Sequence, residues 1–368
     1  MSGTTSYDRG PLMFYWEMTR ACDLACRHCR AAAIAQRDPR ELTTAEGQRL
    51  LESICAFEPK PHVVLTGGDP LRRPDLYSLV EYATKRGLVI SVTPSGTPSC
   101  TKEAITRLRD SGVSSVAFSL DGSSERRHDQ IRGVDGSFRH TVDAVGWALA
   151  SGLPVQINTL VSAETAPDLA EIYRLVGDLG VQRWALFFLI QVGRGAVLNE
   201  VEPEAAEEIL IWLHERSQAP KPIIKTTEAP HFRRIATQRH TVDGGSGSQA
   251  ASIRRSWNIR DGAGIMFVSH VGDVYPSGFL PIPAGNVRVD DPVQLYREAP
   301  LFRQLRDPDQ FKGKCGQCEF RIICGGSRAR AFAATGDPLE SDPLCPYQPG
   351  TARKPDDAGR LVAFGAHT

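Results

Sequence analysis

From residue 12 to about 227 the chain alternates short apolar runs with longer amphipathic stretches, repeating roughly every 30 residues, the rhythm of successive βα units. Six runs read as strands: 13–17, 63–66, 89–93, 115–120, 155–159 and 184–190. Their nearly continuous apolar character fits a parallel sheet covered on both faces. The first helical stretch opens at Thr43 with Glu46 three residues on, a capping box, and the second and third close at Gly87 and Gly112. Six units are too few for a closed eight-stranded barrel, so the α/β pattern predicts an open, partial (β/α)6 barrel with its chemistry at the carboxyl ends of the strands.

Beyond 227 the rhythm breaks. Residues 243–252 are rich in Gly and Ser and read as a linker or mobile loop. Next, 264–268, a turn at His270-Val271-Gly272-Asp273, and 274–276 form a hairpin pattern, followed by short helices around 293–305. The expected organisation is therefore a barrel over 1–240, a linker over 241–261, a small α+β domain over 262–350 and a tail over 351–368.

With 368 residues, 41% hydrophobic and 23% charged, the chain can bury a large core, as two or so domains do. Lys plus Arg and Asp plus Glu both number 43, so no global positive field points to nucleic acid. The longest wholly apolar run, 184–190, falls far short of the ~20 residues that span a bilayer. The polar first ten residues carry no signal-peptide pattern, which places the chain in the cytoplasm.

The nine cysteines are clustered: Cys22, Cys26 and Cys29 follow the first strand, Cys315, Cys318, Cys324 and Cys345 lie near the end, and only Cys55 and Cys100 stand apart. Such clusters in a reducing compartment read as metal ligands rather than disulfides. Three thiolates in Cys22-x3-Cys26-x2-Cys29 are one short of a structural zinc site, with only His28 adjacent, whereas on a 4Fe–4S cube they leave one iron open. A zinc knuckle or incidental cysteines are the alternatives.

C-x3-C-x2-C after the first strand of a partial barrel resembles the radical S-adenosylmethionine (SAM) superfamily. The resemblance implies that the open iron chelates SAM and that the reduced cluster cleaves it to methionine and a 5′-deoxyadenosyl radical, which abstracts hydrogen from the substrate. It also implies roles for other positions. Gly67 and Gly68 after strand two match the glycine pair beside the SAM amino group, where a missing side chain permits close approach, and Asp69 stands where glutamate is more usual. Ser119 and Asp121 after strand four look like ribose-side contacts. Asn158 is similar to the polar residue facing SAM, and Gly193-Arg194-Gly195 resembles the adenine-side loop; His28 joins this cofactor-binding group. A plain turn or strand-end capping would also account for these residues.

Cys315-x2-Cys318-x5-Cys324-x20-Cys345 offers four thiolates, enough to saturate a second cluster, with a zinc ribbon as the alternative. The spacing resembles the auxiliary-cluster domain called SPASM, or its shorter twitch form. Ser277 occupies the position after the hairpin where full SPASM domains carry a further cysteine, so a single auxiliary 4Fe–4S cluster is expected, two clusters in all.

Cys-Arg-His-Cys-Arg-Ala at 26–31, Leu-Thr-Gly-Gly-Asp-Pro-Leu at 65–71 and Tyr-Pro-Ser-Gly-Phe-Leu-Pro at 275–281 look most like the alternative haem-synthesis branch of the superfamily. That likeness implies oxidative decarboxylation or modification of tetrapyrrole propionates, as with iron-coproporphyrin and in the haem d1 pathway, and an electron donor such as flavodoxin or ferredoxin. Cations concentrate at His231, Arg233, Arg234, Arg239, His240, Arg254, Arg255 and Arg260. Arg suits bidentate carboxylate binding, so His231, Arg233, Arg234, Arg254 and Arg255 are candidate substrate residues, against the plainer reading of a solvated basic face. Competing functions are a peptide maturase, disfavoured by the mere 21 residues before Cys22, a sugar- or nucleoside-acid decarboxylase, and a non-enzymatic, metal-stabilised interaction protein.

Overall fold

The alternation of apolar runs becomes one ten-stranded sheet. The computed structural model describes residues 7–243 and 259–350. Its strands are β1 (Met13–Thr19), β2 (His62–Gly67), β3 (Val89–Val92), β4 (Ser115–Ser119), β5 (Val155–Val161), β6 (Arg183–Phe188), β7 (Ile223–Thr227), β8 (Ile265–Val268), β9 (Asp273–Tyr275) and β10 (Gly285–Asn286). They lie in the order β10-β9-β8-β1-β2-β3-β4-β5-β6-β7. β1 to β7 pair in parallel with helices between them, as an open α/β barrel requires.

Helix punctuation follows local chemistry. Thr43 and Glu46 form the reciprocal capping box before the helix Thr44–Ile54. Gly87 and Gly112 adopt φ of +78° and +95° just past the helices Leu76–Thr84 and Lys102–Asp110, a region that costs other residues.

Three features differ from the sequence reading. A seventh parallel strand, β7, follows the helix Pro203–Arg216; its mixed Ile-Ile-Lys-Thr-Thr lacks an apolar run. The hairpin β8–β9 does not start a separate sheet, because β8 pairs in parallel with β1 and extends the barrel wall. Finally, the sheet is not apolar on both faces. Phe14, Trp16, Val63, Leu65, Ile90, Val92, Trp184 and Leu186 join the core under the helices. The alternating positions, which face the lumen, include Glu17, His62, Ser91, Asn158 and Arg183, of which all but Glu17 and Ser91 are half-exposed. Among the described residues no helix is long and apolar enough to cross a membrane.

Candidate active site

The chain leaves β1 into the segment 20–34, which carries Cys22, Cys26 and Cys29 and is pinned almost wholly by backbone. Cys22 N donates to Ile34 O at 2.9 Å and Ile34 N to Arg20 O at 2.9 Å. Ala25 N and Arg27 N donate to Arg132 O and Ile131 O at the end of the helix Glu125–Arg132. From the far side Arg194 N donates to Cys29 O, and the Arg194 guanidinium to Cys26 O at 2.9 Å and Ala33 O at 3.2 Å.

The three thiols share one small apolar cluster with Leu24, Ala33 and Val134. Each sulfur accepts a hydrogen bond: Cys22 Sγ from Leu24 N at 3.4 Å, Cys29 Sγ from Ala33 N at 3.3 Å and Cys26 Sγ from Arg132 Nη1 at 3.5 Å. Burial pushes the Cys22 thiol up to about 11. It raises Cys26 too, against the lowering charge of Arg132. Without a cation these thiols stay protonated; metal coordination makes them thiolates.

The glycine pair has a reason in the fold itself. A Cβ on Gly67, at φ +140°, would meet Thr19 O at 2.3 Å, and one on Gly68 would meet Ala21 O at 2.4 Å. Bare backbone here lets the cysteine segment cross strand end β2, as it does at Gly193, whose Cβ would meet Arg30 O at 2.3 Å. Asp69 is fully buried and accepts from Leu71 N, Ser95 N and Thr97 Oγ1. Burial outweighs those bonds and holds its carboxyl up at about 6. Asp69 and Arg194 thus spend their side chains on the frame of the site.

Asp121 pairs with Arg132 at 2.6 Å and lies 3.7 Å from His28 Nε2, while its Oδ1 accepts from Leu160 N. Burial would raise the Asp121 carboxyl, but Arg132 and His28 hold it below the usual range. Burial drives His28 down to about 4, so it is neutral at physiological pH. Ser119, the last residue of β4, is the register partner of Asn158 in the middle of β5. Arg132, which joins Asp121 to the Cys26 sulfur, escaped the sequence reading because it sits in an ordinary charged helix with no motif around it.

The other four cysteines line one solvent-open pocket together with Arg234 and Tyr347. Burial pushes Cys324 to about 12 and Cys345 to about 11. Among the described residues no three Cys, His, Asp or Glu side chains have the spacing of a single-ion site.

The structure gives the substrate candidates the following surroundings. Arg233 donates to Ile259 O at 2.6 Å and Ile323 O at 3.3 Å. Arg234 is paired with Glu207 and lies 4.8 Å over the Tyr347 ring, beside the cysteine pocket. His231 is fully buried, 3.8 Å from Asp342, and held neutral by burial at about 4. Arg233 and Arg234 are thus engaged by carbonyls and by a carboxylate of the chain itself. Arg254 and Arg255 lie outside the described residues.

A family model described as the radical SAM superfamily matches residues 16–176. An AdoMet-dependent heme synthase from Methanosarcina barkeri is 38% identical over 342 residues, which cover 92% of this chain and 97% of that protein. The chain belongs to the radical SAM superfamily. A pre-heme d1 synthase from Dinoroseobacter shibae is 28% identical over 94% of this chain and 89% of its own. The crystal structure of Streptococcus suis SuiB bound to S-adenosylmethionine matches with a TM-score of 0.69 at 16% identity, covering 92% of this chain and 77% of that one. That likeness shows the fold.

As a radical SAM enzyme the chain takes a 4Fe–4S cluster and SAM, and the reading as a non-enzymatic interaction protein falls. The donor set at 22–29 fits that cluster: three free thiols on one loop, each already receiving an N–H donor that complements a charged sulfur. Bound there, the cluster supplies the electron that opens SAM. The chain's own residues hold the loop and set the charge around it.

Glu17 ties this loop to the hairpin. On the lumen face of β1 it accepts from Arg30 Nη2 at 2.6 Å and lies 2.9 Å from His270 Nδ1, while Arg30 stacks over Phe267 at 4.6 Å. Burial alone would raise the Glu17 carboxyl, but Arg30 and His270 overcome it and hold it at about 2, down from 4.5. An acid with a lowered folded pKa contributes stability above its unfolded pKa and loses it as pH falls toward the folded one, here up to roughly 3 kcal/mol. Between pH 6 and pH 4 the parent should lose about 1 kcal/mol more than Glu17→Gln, read from urea midpoints; parallel losses would show that the ion pair does not set acid stability.

Proposed function

We propose that the chain is a tetrapyrrole-modifying radical SAM enzyme that removes or remodels a propionate side chain by hydrogen abstraction, as in haem biosynthesis. The observation that carries this reading is the similarity to an AdoMet-dependent heme synthase over almost that protein's whole length. In this reading Cys22, Cys26 and Cys29 hold the SAM-binding cluster, with His28, Gly67, Gly68, Asp69, Ser119, Asp121, Asn158, Gly193 and Arg194 framing the cofactor. Of these, Ser119 at the end of β4 and its register partner Asn158 in mid-β5 face the lumen, and the others brace the loop or one another.

Cys315, Cys318, Cys324 and Cys345 hold a second 4Fe–4S cluster in the C-terminal domain. Four thiols lining one pocket match the full ligand set of a 4Fe–4S cube. Bound there, a fully ligated cluster supplies a one-electron acceptor, which an oxidative decarboxylation requires. The reducing electron comes from a small redox protein such as flavodoxin or ferredoxin, and the nine free cysteines suit the cytoplasm.

The test is anaerobic incubation of the reduced enzyme with SAM and iron-coproporphyrin III. The expected result is 5′-deoxyadenosine formed together with loss of carboxyl groups from the tetrapyrrole by mass spectrometry. Release of 5′-deoxyadenosine with the tetrapyrrole mass unchanged would overturn the substrate assignment.

A further inference from the structure

Among the described residues, the barrel lumen holds two cations without a carboxylate partner. Trp184, Leu186 and Ile224 belong to the outer core, so Arg183 at the start of β6 and Lys225 in β7 point inward. Lys225 stands opposite Ala185 in the register, two residues along the strand from Arg183. His62 opens β2, four and five strands away in the sheet order, yet the charges of Lys225 and Arg183 both reach its imidazole. Only the curl of the sheet into a barrel brings these three together.

Among the described residues neither Arg183 nor Lys225 has a carboxylate partner, although the chain pairs many of its other arginines. Burial and then the Arg183 charge hold the Lys225 ammonium below its ordinary range, while its side chain stays exposed to the lumen. The rest of this layer is polar and neutral. His62 Nε2 lies 2.6 Å from Ser91 Oγ, which lies 2.5 Å from Ser115 Oγ, and burial keeps His62 down at about 4. Two neighbouring like charges repel each other, and an anion with two oxygens would answer both.

The lumen connects this layer to the cofactor end. Arg183 is the register partner of Gln156, whose Nε2 donates to Asn158 Oδ1 at 2.8 Å. Residues two apart on a strand are separated by about 7 Å. We propose that Arg183 and Lys225 form a carboxylate-binding site in the barrel lumen, which grips an acid group of the substrate between the level of Asn158, where Lys225 stands in the register, and that of Arg183 about 7 Å below it. This site offers a second set of cations for the carboxylate, beside those at 231–255. It deepens the tetrapyrrole reading and rests on that reading for the identity of the molecule, but not for the chemistry of the group bound.

The test titrates the cluster-loaded enzyme, with SAM present, by absorbance with iron-coproporphyrin III and with its tetramethyl ester. Arg183→Gln and Lys225→Gln should each weaken the acid roughly ten- to hundredfold and the ester less than threefold, while Lys225→Arg stays within about threefold of the parent. Lys102→Gln, on an exposed helix end, should match the parent for both. In parallel, citrate should shield Lys225 from acetylation, read by peptide mass spectrometry. Equal affinity of parent and variants for the acid, with no citrate shielding, would overturn the lumen site and leave the tetrapyrrole reading standing. Failure of the parent to bind either tetrapyrrole, with citrate shielding intact, would overturn the tetrapyrrole reading and keep the site; loss of both signals would overturn both. A uniform loss of acid and ester binding in every lumen variant, Lys225→Arg included, would assign the residues to folding and overturn the site.

Discussion

Replacing Cys22, Cys26 and Cys29 together by Ala is expected to abolish SAM cleavage, a loss of more than about 1,000-fold in 5′-deoxyadenosine, and to halve the iron from about eight to about four per chain. The loop itself should survive the change. Its position is set by the Cys22 N to Ile34 O bond, by Arg194 on Cys26 O and Ala33 O, and by the end of the helix Glu125–Arg132; none of these needs a sulfur. The four C-terminal cysteines line a pocket that none of the three N-terminal ones enters. Electron paramagnetic resonance of the reduced triple variant should therefore show one remaining 4Fe–4S signal. Cleavage persisting above a tenth of the parent rate would remove these thiols from the chemistry. Iron falling to zero, or stoichiometric zinc in protein isolated without air, would defeat the two-cluster assignment.

The largest stability effect should come from Arg330. It sits fully buried in the helix Arg328–Thr335 and reaches four groups on different parts of the chain. Its Nε donates to Glu200 at 2.6 Å, its Nη2 to Leu189 O at 3.0 Å, and its Nη1 to Glu228 O at 2.8 Å, with Asp342 at 3.4 Å. Glu228 holds a left-handed φ of +58°, which a non-glycine residue keeps only when its surroundings hold it there. Arg330→Met fills most of the volume yet leaves Asp342 and Glu200 without their cation and two carbonyls without donors. Breaking a buried pair in this way costs roughly 3–5 kcal/mol, while Arg330→Lys should cost less because one charge remains. Thermal unfolding and limited proteolysis of the 328–350 segment would register the change. A loss under about 1 kcal/mol, the scale of an exposed pair, would mean that the charges are answered elsewhere.

Arg330 also shows where sequence reading stops. Nothing local marks it among the alternating Arg-Ala-Arg-Ala-Phe of its helix, and its partners lie 12 to 141 residues away. Arg233 and Arg234 show the opposite limit: the sequence displays their charge, but not the carbonyls of Ile259 and Ile323 or the Glu207 carboxylate that they meet. The glycine pair after β2 was legible as a place needing bare backbone, and only the structure reveals that segment 19–21 fills the space.

What the sequence alone determined was local: the strand and helix rhythm, the Thr43 capping box, the glycine helix stops and the thiol spacing of both cysteine groups. These follow from interactions within a few residues, which the order of side chains specifies directly. Tertiary structure decided the addition of β8 to β1, the link from Arg132 to Cys26, and the meeting of His62, Arg183 and Lys225 across the lumen. Each depends on which distant groups the closing sheet brings within a few ångströms, and on which of several chemically acceptable partners arrives first at an unsatisfied charge.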